Sequence, residues 1–237
     1  MNRAAAVVRL QLVRRTTWFL VPLAIMLVAG VATVIIQLAI QRATGMTPSS
    51  PGYADGARNN PALAWSVSGY LVATGVASVS SVFPLASSLG TTRRGFAAGT
   101  LLTHAMASAY LAVVTAVMLG LELLTDHWFV GIYVFDTAVL GAGDVAVLLL
   151  VTFLGSLSAF TVGAVFGGVW LRFGPRGPLA VAVVAVLLLA GLLLLLAPSL
   201  ADIAGAFRAW WLAVAGVALV LVAAGGTTLS LRGASVR

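Results

Sequence analysis

The stretch Ser87-Ser88-Leu89-Gly90-Thr91-Thr92-Arg93-Arg94-Gly95-Phe96 is a short polar interruption between two long apolar runs, 62–89 and 96–121. Each run exceeds the ~20 residues a helix needs to cross a ~30 Å hydrocarbon core. The interruption is too short for a domain. It reads as a tight turn at a membrane face, with two adjacent arginines at its tip. Working outward, the same length criterion selects four more runs, about 17–40, 145–171, 178–197 and 210–231. None alternates with the period of a barrel strand, and an unpaired backbone cannot cross lipid, so the runs are expected to be helices. The expected fold is an all-α integral membrane protein, one transmembrane domain over residues 1–237 with six transmembrane helices.

Composition supports that class. The chain is 61% hydrophobic and 8% charged, with a mean hydropathy of +1.11, whereas a soluble domain has ~25% charged residues. There is no cysteine, which excludes disulfides and thiolate metal sites. His104 and His127 are the only histidines, so no histidine cluster of metal-binding spacing exists. All 13 basic residues are arginine, and without lysine the chain cannot form a phosphate-binding P-loop. On so apolar a chain the net charge of +7 points to membrane orientation and lipid contact, and no nucleic-acid partner is expected.

Arginine placement sets the expected topology. The N-terminus, the turns at 90–95 and 172–177, and the C-terminus hold Arg3, Arg9, Arg14, Arg15, Arg93, Arg94, Arg172, Arg176, Arg232 and Arg237. The other side keeps Arg42, Arg58 and Arg208 and every acidic residue: Asp55, Glu122, Asp126, Asp136, Asp144 and Asp202. The positive-inside rule then puts both termini in the cytoplasm. Trp18, Trp65, Trp170, Trp210 and Trp211 fall at span ends, where aromatic belts form. Residues 1–16 read as an amphipathic interfacial helix, with Arg3, Gln11, Arg14 and Arg15 on one side and Ala5, Val8, Leu12 and Val13 on the other.

Between the spans, 41–61 is rich in Gly, Pro, Ser and Asn and reads as a flexible connection. The segment Trp128-Phe-Val-Gly-Ile-Tyr-Val-Phe135 is too short to span and too apolar to float in water. A surface-hugging loop is the preferred reading, with a gate over a substrate path as the alternative. Glu122 and Asp144 flank it and read as ordinary solvated carboxylates.

His104 lies within the third span, where an ionisable group suggests a proton relay or substrate contact. A hydrogen bond to a Ser or Thr of a neighbouring helix satisfies the same physics and is preferred. The segment Leu154-Gly155-Ser156-Leu157-Ser158 lacks the pattern and the base of a nucleophile elbow, so no catalysis is expected from this chain. In the fourth span Gly155, Ala159, Gly163 and Gly167 recur every four residues, predicting a smooth helix-packing face. The fifth span has no polar residue in its body and suits lipid or a second copy. The second span carries Ser66, Ser78 and Ser81; with His104 these either line a substrate path or bond back to the helices.

The N-terminal amphipathic helix, the six spans, the inner turn Leu89-Gly90-Thr91-Thr92-Arg93-Arg94-Gly95-Phe96, and Gly163-x-x-x-Gly167-Gly168-x-x-x-Arg172-Phe173-Gly174-x-x-Gly177 closing the fourth span together resemble the permease subunits of type-2 ABC exporters. The resemblance covers essentially the whole chain. It implies a membrane subunit that pairs with a second permease subunit, identical or homologous, and engages cytosolic ATPase subunits that bind ATP and Mg. It also implies that Gly90, Thr91, Thr92, Arg93, Arg94, Gly95 and Phe96 form a coupling helix docked on the ATPase. The dimer contact is implied on spans one and five, and the substrate path near spans one, two and five. Since this chain has no lysine, the ATPase is expected on a separate polypeptide. The spans carry little charge, which suits a lipid, an amphipathic peptide or a hydrophobic drug as substrate. A membrane anchor, an assembly factor or an immunity protein is the alternative; an ion-coupled carrier would need ionisable groups at the midplane. The lysine-free, Ala/Val/Gly/Arg-rich composition suggests a high-GC bacterium, and so its cell (inner) membrane.

Overall fold

A computed structural model describes residues 3–200, 202, 205 and 209–232, and among these it contains helices, turns and loops but no strand. The helices are α1 (Arg3–Leu12), α2 (Val21–Thr44), α3 (Tyr53–Arg58), α4 (Ala62–Ser80), α5 (Val82–Ser88), α6 (Arg93–Leu124), α7 (Val145–Phe173), α8 (Arg176–Leu196) and α9 (Ala209–Arg232). A wide turn, Thr16–Leu20, runs directly into α2. Six helical segments are long and apolar enough to cross a membrane: Thr16–Thr44, Tyr53–Ser88, Arg93–Leu124, Val145–Phe173, Arg176–Ser199 and Trp210–Leu231. The chain is thus all-helical and has the build of a multi-pass membrane protein. Ser88 and Arg93 sit at the arginine-rich end of the bundle, and residues 45–61 and 125–144 at the opposite end.

Helix α7 is central, packing on α4, α6, α8 and α9. Hydrophobic burial does not drive helices together in lipid, so close van der Waals approach must do so, and small residues permit it. A Cβ on Gly163 would overlap the Val72 carbonyl oxygen, one on Gly167 the Val76 carbonyl oxygen, and one on Gly75 the Phe160 carbonyl oxygen. Backbone therefore meets backbone where α4 crosses α7. Ala159 packs at the edge of the core beside Phe160, but Gly155 faces open space. The packing stripe is used only in its C-terminal part, because α4 and α7 separate beyond it around a cavity of about 160 Å³ lined by Gly155, Ser68 and Thr152.

Helix α1 corrects the expected amphipathic pattern. It ends at Leu12, and its buried residues are Val7, Val8 and Gln11. Gln11 was expected on the polar side, yet it is 4% exposed, while Val13, expected on the apolar side, is 75% exposed. The cause is Gly99 of α6. A Cβ there would lie 2.6 Å from Val7 Cβ and 2.7 Å from the Ala4 carbonyl oxygen, so its absence lets α1 lie flat against α6. Gln11 Nε2 then donates to the Ser78 carbonyl (3.2 Å) and to Thr100 Oγ1 (2.9 Å). Trp18 is likewise a core residue, not a belt residue, and donates from Nε1 to the Gln11 carbonyl at 2.9 Å.

Two helices leave long apolar faces uncovered: α8 almost throughout, and α2 on the side away from α4. Along α8 only Gly177 is buried, and α2 exposes Leu27, Val28, Val31, Ile35 and Ile36. In a membrane these faces meet lipid or another protein.

Candidate functional site

The turn at the arginine-rich end is built by three local devices. Helix α4 stops at Ser80, and α5 restarts at Val82 with Pro84 in its first turn, where a missing N–H costs nothing. Gly90 ends α5 in the left-handed region (φ +79°). The Gly90 N–H donates to Ser87 (3.0 Å) and the Thr91 N–H to Ala86 (3.0 Å), the paired bonds of a Schellman cap. Thr92 then caps α6, its Oγ1 accepting from the Gly95 N–H at 3.2 Å.

The tip exposes Leu85 (51%) and Leu89 (70%) beside Arg93 and Arg94. Both arginines stand in the first turn of α6, at the positive end of the helix dipole, where a cation is disfavoured by ~0.3–1 kcal/mol. Gly90 and Thr92 are exposed, while Thr91 and Gly95 are half-buried. Phe96 is a correction: it is fully buried and cannot touch a docking partner. It packs edge-on against Phe83 with centroids 5.0 Å apart, in a cluster with Val7, Val79, Ala164 and Leu231. Phe96 fastens the turn to the bundle.

Of the residues expected along a substrate path, the structure brings two together. Ser78 Oγ lies 3.1 Å from His104 Nε2, the neighbouring-helix bond that the sequence reading preferred. His104 is fully buried, stacks on Phe160 at 5.2 Å, and lies 5.9 Å from Trp18; its Nδ1 has no hydrogen-bond partner. Ser66 and Ser81 are exposed on α4 and at its end, and their hydroxyls donate to the carbonyls of Leu63 and Ala77.

The opposite end holds the polar cluster that the sequence did not suggest. Glu122 is fully buried, not a solvated carboxylate. Its Oε1 accepts from the N–H groups of Val134 (3.0 Å) and Asp136 (3.2 Å), and its Oε2 from that of Phe135 (2.7 Å). Gln37 of α2 brackets the same irregular segment, donating from Nε2 to the Tyr133 carbonyl (2.6 Å) and accepting the Tyr133 N–H on Oε1 (3.0 Å). Residues 132–137 are therefore buried in the bundle, not laid on its surface. An irregular backbone at that depth must have its groups satisfied, and Glu122 and Gln37 supply the partners. The sequence signal was the one acid of α6, set between two leucines in Leu121-Glu122-Leu123.

Asp136 closes this cap. Buried, it takes a bidentate contact from Arg58 (Nη2 to Oδ2 2.8 Å, Nε to Oδ1 3.2 Å), and His127 Nε2 lies 3.0 Å from Oδ2. Burial by itself raises the Asp136 pKa; the hydrogen bonds from Arg58 and His127 outweigh it and hold the carboxyl below its usual range. The bond to Asp136 holds Arg58 above its ordinary value, and burial pushes the Tyr133 phenol up. Residues 126–129 run through four consecutive left-handed conformations (φ 47°, 58°, 61° and 62°) without a glycine, at a cost of ~1–2 kcal/mol each. His127, pinned to Asp136, sits inside that turn. The 41–61 connection is also ordered around α3, where Gln41 Nε2 donates to the Tyr53 hydroxyl at 2.6 Å. Asp144 alone behaves as expected of a solvated carboxylate: it is exposed and caps α7 by accepting from Ala146 (2.8 Å) and Val147 (3.1 Å).

Among the described residues no group of three or more His, Asp or Glu could hold a metal ion. In comparisons with family models, curated proteins and solved structures, none matches this chain.

Proposed function

We propose that this chain is the membrane-spanning permease subunit of an ATP-binding-cassette exporter, moving a hydrophobic or amphipathic substrate. A separate cytosolic ATPase hydrolyses ATP, and a second permease subunit, identical or homologous, completes the pore. The observation that carries this reading is the tip formed by α5 and the first turn of α6. It projects two leucines and two arginines from a rigid, doubly capped turn. Isolated leucines exposed beyond a span end are common, and arginines near a membrane face touch anionic lipid. Arginines in the first turn of a helix work against the dipole, however, and a rigid basic-apolar knob suits a protein partner.

In this reading Arg93 and Arg94 meet acidic groups of the ATPase, and Leu85 and Leu89 fill an apolar cleft. ATP-driven closure of two ATPase subunits pulls on α5 and α6. Helix α1, packed on α6 at Gly99, moves with them. A differential affinity of a few kcal/mol for two bundle arrangements suffices to shift such an equilibrium. An ion-coupled carrier is less well supported, because the buried carboxylates Glu122 and Asp136 are both committed to holding the outer cap.

Affinity purification from native membranes in mild detergent tests the proposal. A soluble ATPase should co-purify with the parent chain and be lost from the double variant Arg93→Glu/Arg94→Glu. Recovery of the folded parent chain without an ATPase, under conditions that keep a known ABC complex intact, would favour an anchor or immunity role.

A further inference from the structure

A second feature of the arginine-rich end runs from the tip into the bundle. Helices α6, α7 and α9 enclose an open cleft of about 260 Å³, with Arg94 at its mouth and His104 at its deep end. Along α6 it follows one helical face, Arg94, Ala97, Ala98, Leu101 and His104, at spacings of three and four residues. From Arg94 to His104 is ten residues, or ~15 Å at ~1.5 Å per residue, half of a ~30 Å hydrocarbon core. The opposite wall is Ala224 with Thr227 and Thr228 of α9. Both threonines bond their hydroxyls within α9, to the carbonyls of Ala223 (3.0 Å) and Gly225 (2.7 Å), so this wall needs no polar partner. Every acidic residue of the chain lies in the loops of the other end or beside them, so among the described residues no carboxylate stands near the mouth. A cation reinforced by the positive end of α6 caps an apolar slot one leaflet deep.

We propose that this cleft binds an anionic phospholipid of the adjacent leaflet, its phosphate at Arg94 and one acyl chain along Ala97, Ala98 and Leu101. A basic pocket between transmembrane helices at a membrane face recognises anionic headgroups by charge and the chain by shape. The site is separate from the apolar faces of α2 and α8; it shares Arg94 with the proposed ATPase contact, and lipid binding there is measured on the chain without an ATPase.

Native mass spectrometry of the full chain in detergent, offered equal amounts of phosphatidylglycerol and phosphatidylcholine of matched chains, tests the proposal. One phosphatidylglycerol should be retained with roughly fivefold preference, the factor for ~1 kcal/mol per arginine near a membrane surface. Arg94→Gln, an exposed substitution, should abolish the preference. Ala97→Phe should weaken retention of both lipids by filling the chain slot, and Arg176→Gln, at the start of α8, should change nothing. Equal retention of the two lipids by the parent chain, or a preference that survives Arg94→Gln, would overturn the site. An equal loss in Arg176→Gln would also overturn it, showing diffuse charge attraction with no defined pocket.

Discussion

At the scale of single residues, the side chains that decide this structure are polar ones with a backbone to satisfy. Glu122 holds three N–H groups and Gln37 one N–H and one C=O, and together they let residues 132–137 lie buried without helix or sheet partners. A buried donor left without an acceptor costs ~1–3 kcal/mol. Glu122→Leu is therefore expected to destabilise the cap by about 3 kcal/mol or more. Hydrogen exchange should show it as a roughly hundredfold faster exchange of the Val134, Phe135 and Asp136 amides, with little change in the middle of α7. Unaltered exchange at these three amides would show that the carboxylate does not hold them. Gln11 does comparable work at the other end, tying α1 to α4 and α6 through one side-chain amide.

At the scale of elements, the glycines of α4 and α7 set how closely the two central helices approach. Gly75, Gly163 and Gly167 lie where backbones touch, whereas Gly155, on the same stripe, has nothing within reach of a Cβ. Gly163→Ala must push α4 away and is expected to cost about 2 kcal/mol, within the range for overpacking a tight contact. Gly155→Ala should be neutral or slightly stabilising, since alanine is the better helix former by up to ~1 kcal/mol. Thermal unfolding of the two variants in the same detergent compares them directly. Equal destabilisation by both would mean that the contact at Gly163 is not the one described. The short helix α5 matters for another reason. Its break at Ser81 and its Gly90 cap turn the chain sharply, so the tip stands rigid.

At the scale of the molecule, everything proposed for the tip depends on which side of the membrane it faces. The charge bias predicts that it faces the cytoplasm: ten of the 13 arginines are assigned to its side of the bundle and all six acids to the other. The absence of cysteine makes single-cysteine labelling clean. A maleimide that cannot cross the membrane, applied from outside, should label Ser49→Cys and spare Ser88→Cys, both at exposed positions. The reverse pattern would invert the topology and exclude an ATPase at the tip. If the proposed second permease subunit pairs with this one, the bare apolar lengths of α2 and α8 are the surfaces available to it.

The sequence by itself determined that six helices are long and apolar enough to cross a membrane and where each lies, because length and apolarity suffice when backbone groups cannot be left unpaired in lipid. It also marked the turn between the second and third spans, since glycine, threonine and paired arginines are local signals that act within a few residues. The role of Phe96, the buried side of α1 and the burial of Glu122 were decided only in three dimensions. Each depends on a partner far along the chain: Phe83 and Leu231 for Phe96, Gly99 for α1, and Val134 to Asp136 for Glu122. Periodicity reports which face of a helix is apolar, but not which neighbour will press on it. A polar side chain such as Gln11 or Glu122 reads as exposed until the tertiary structure brings up the backbone groups that it satisfies.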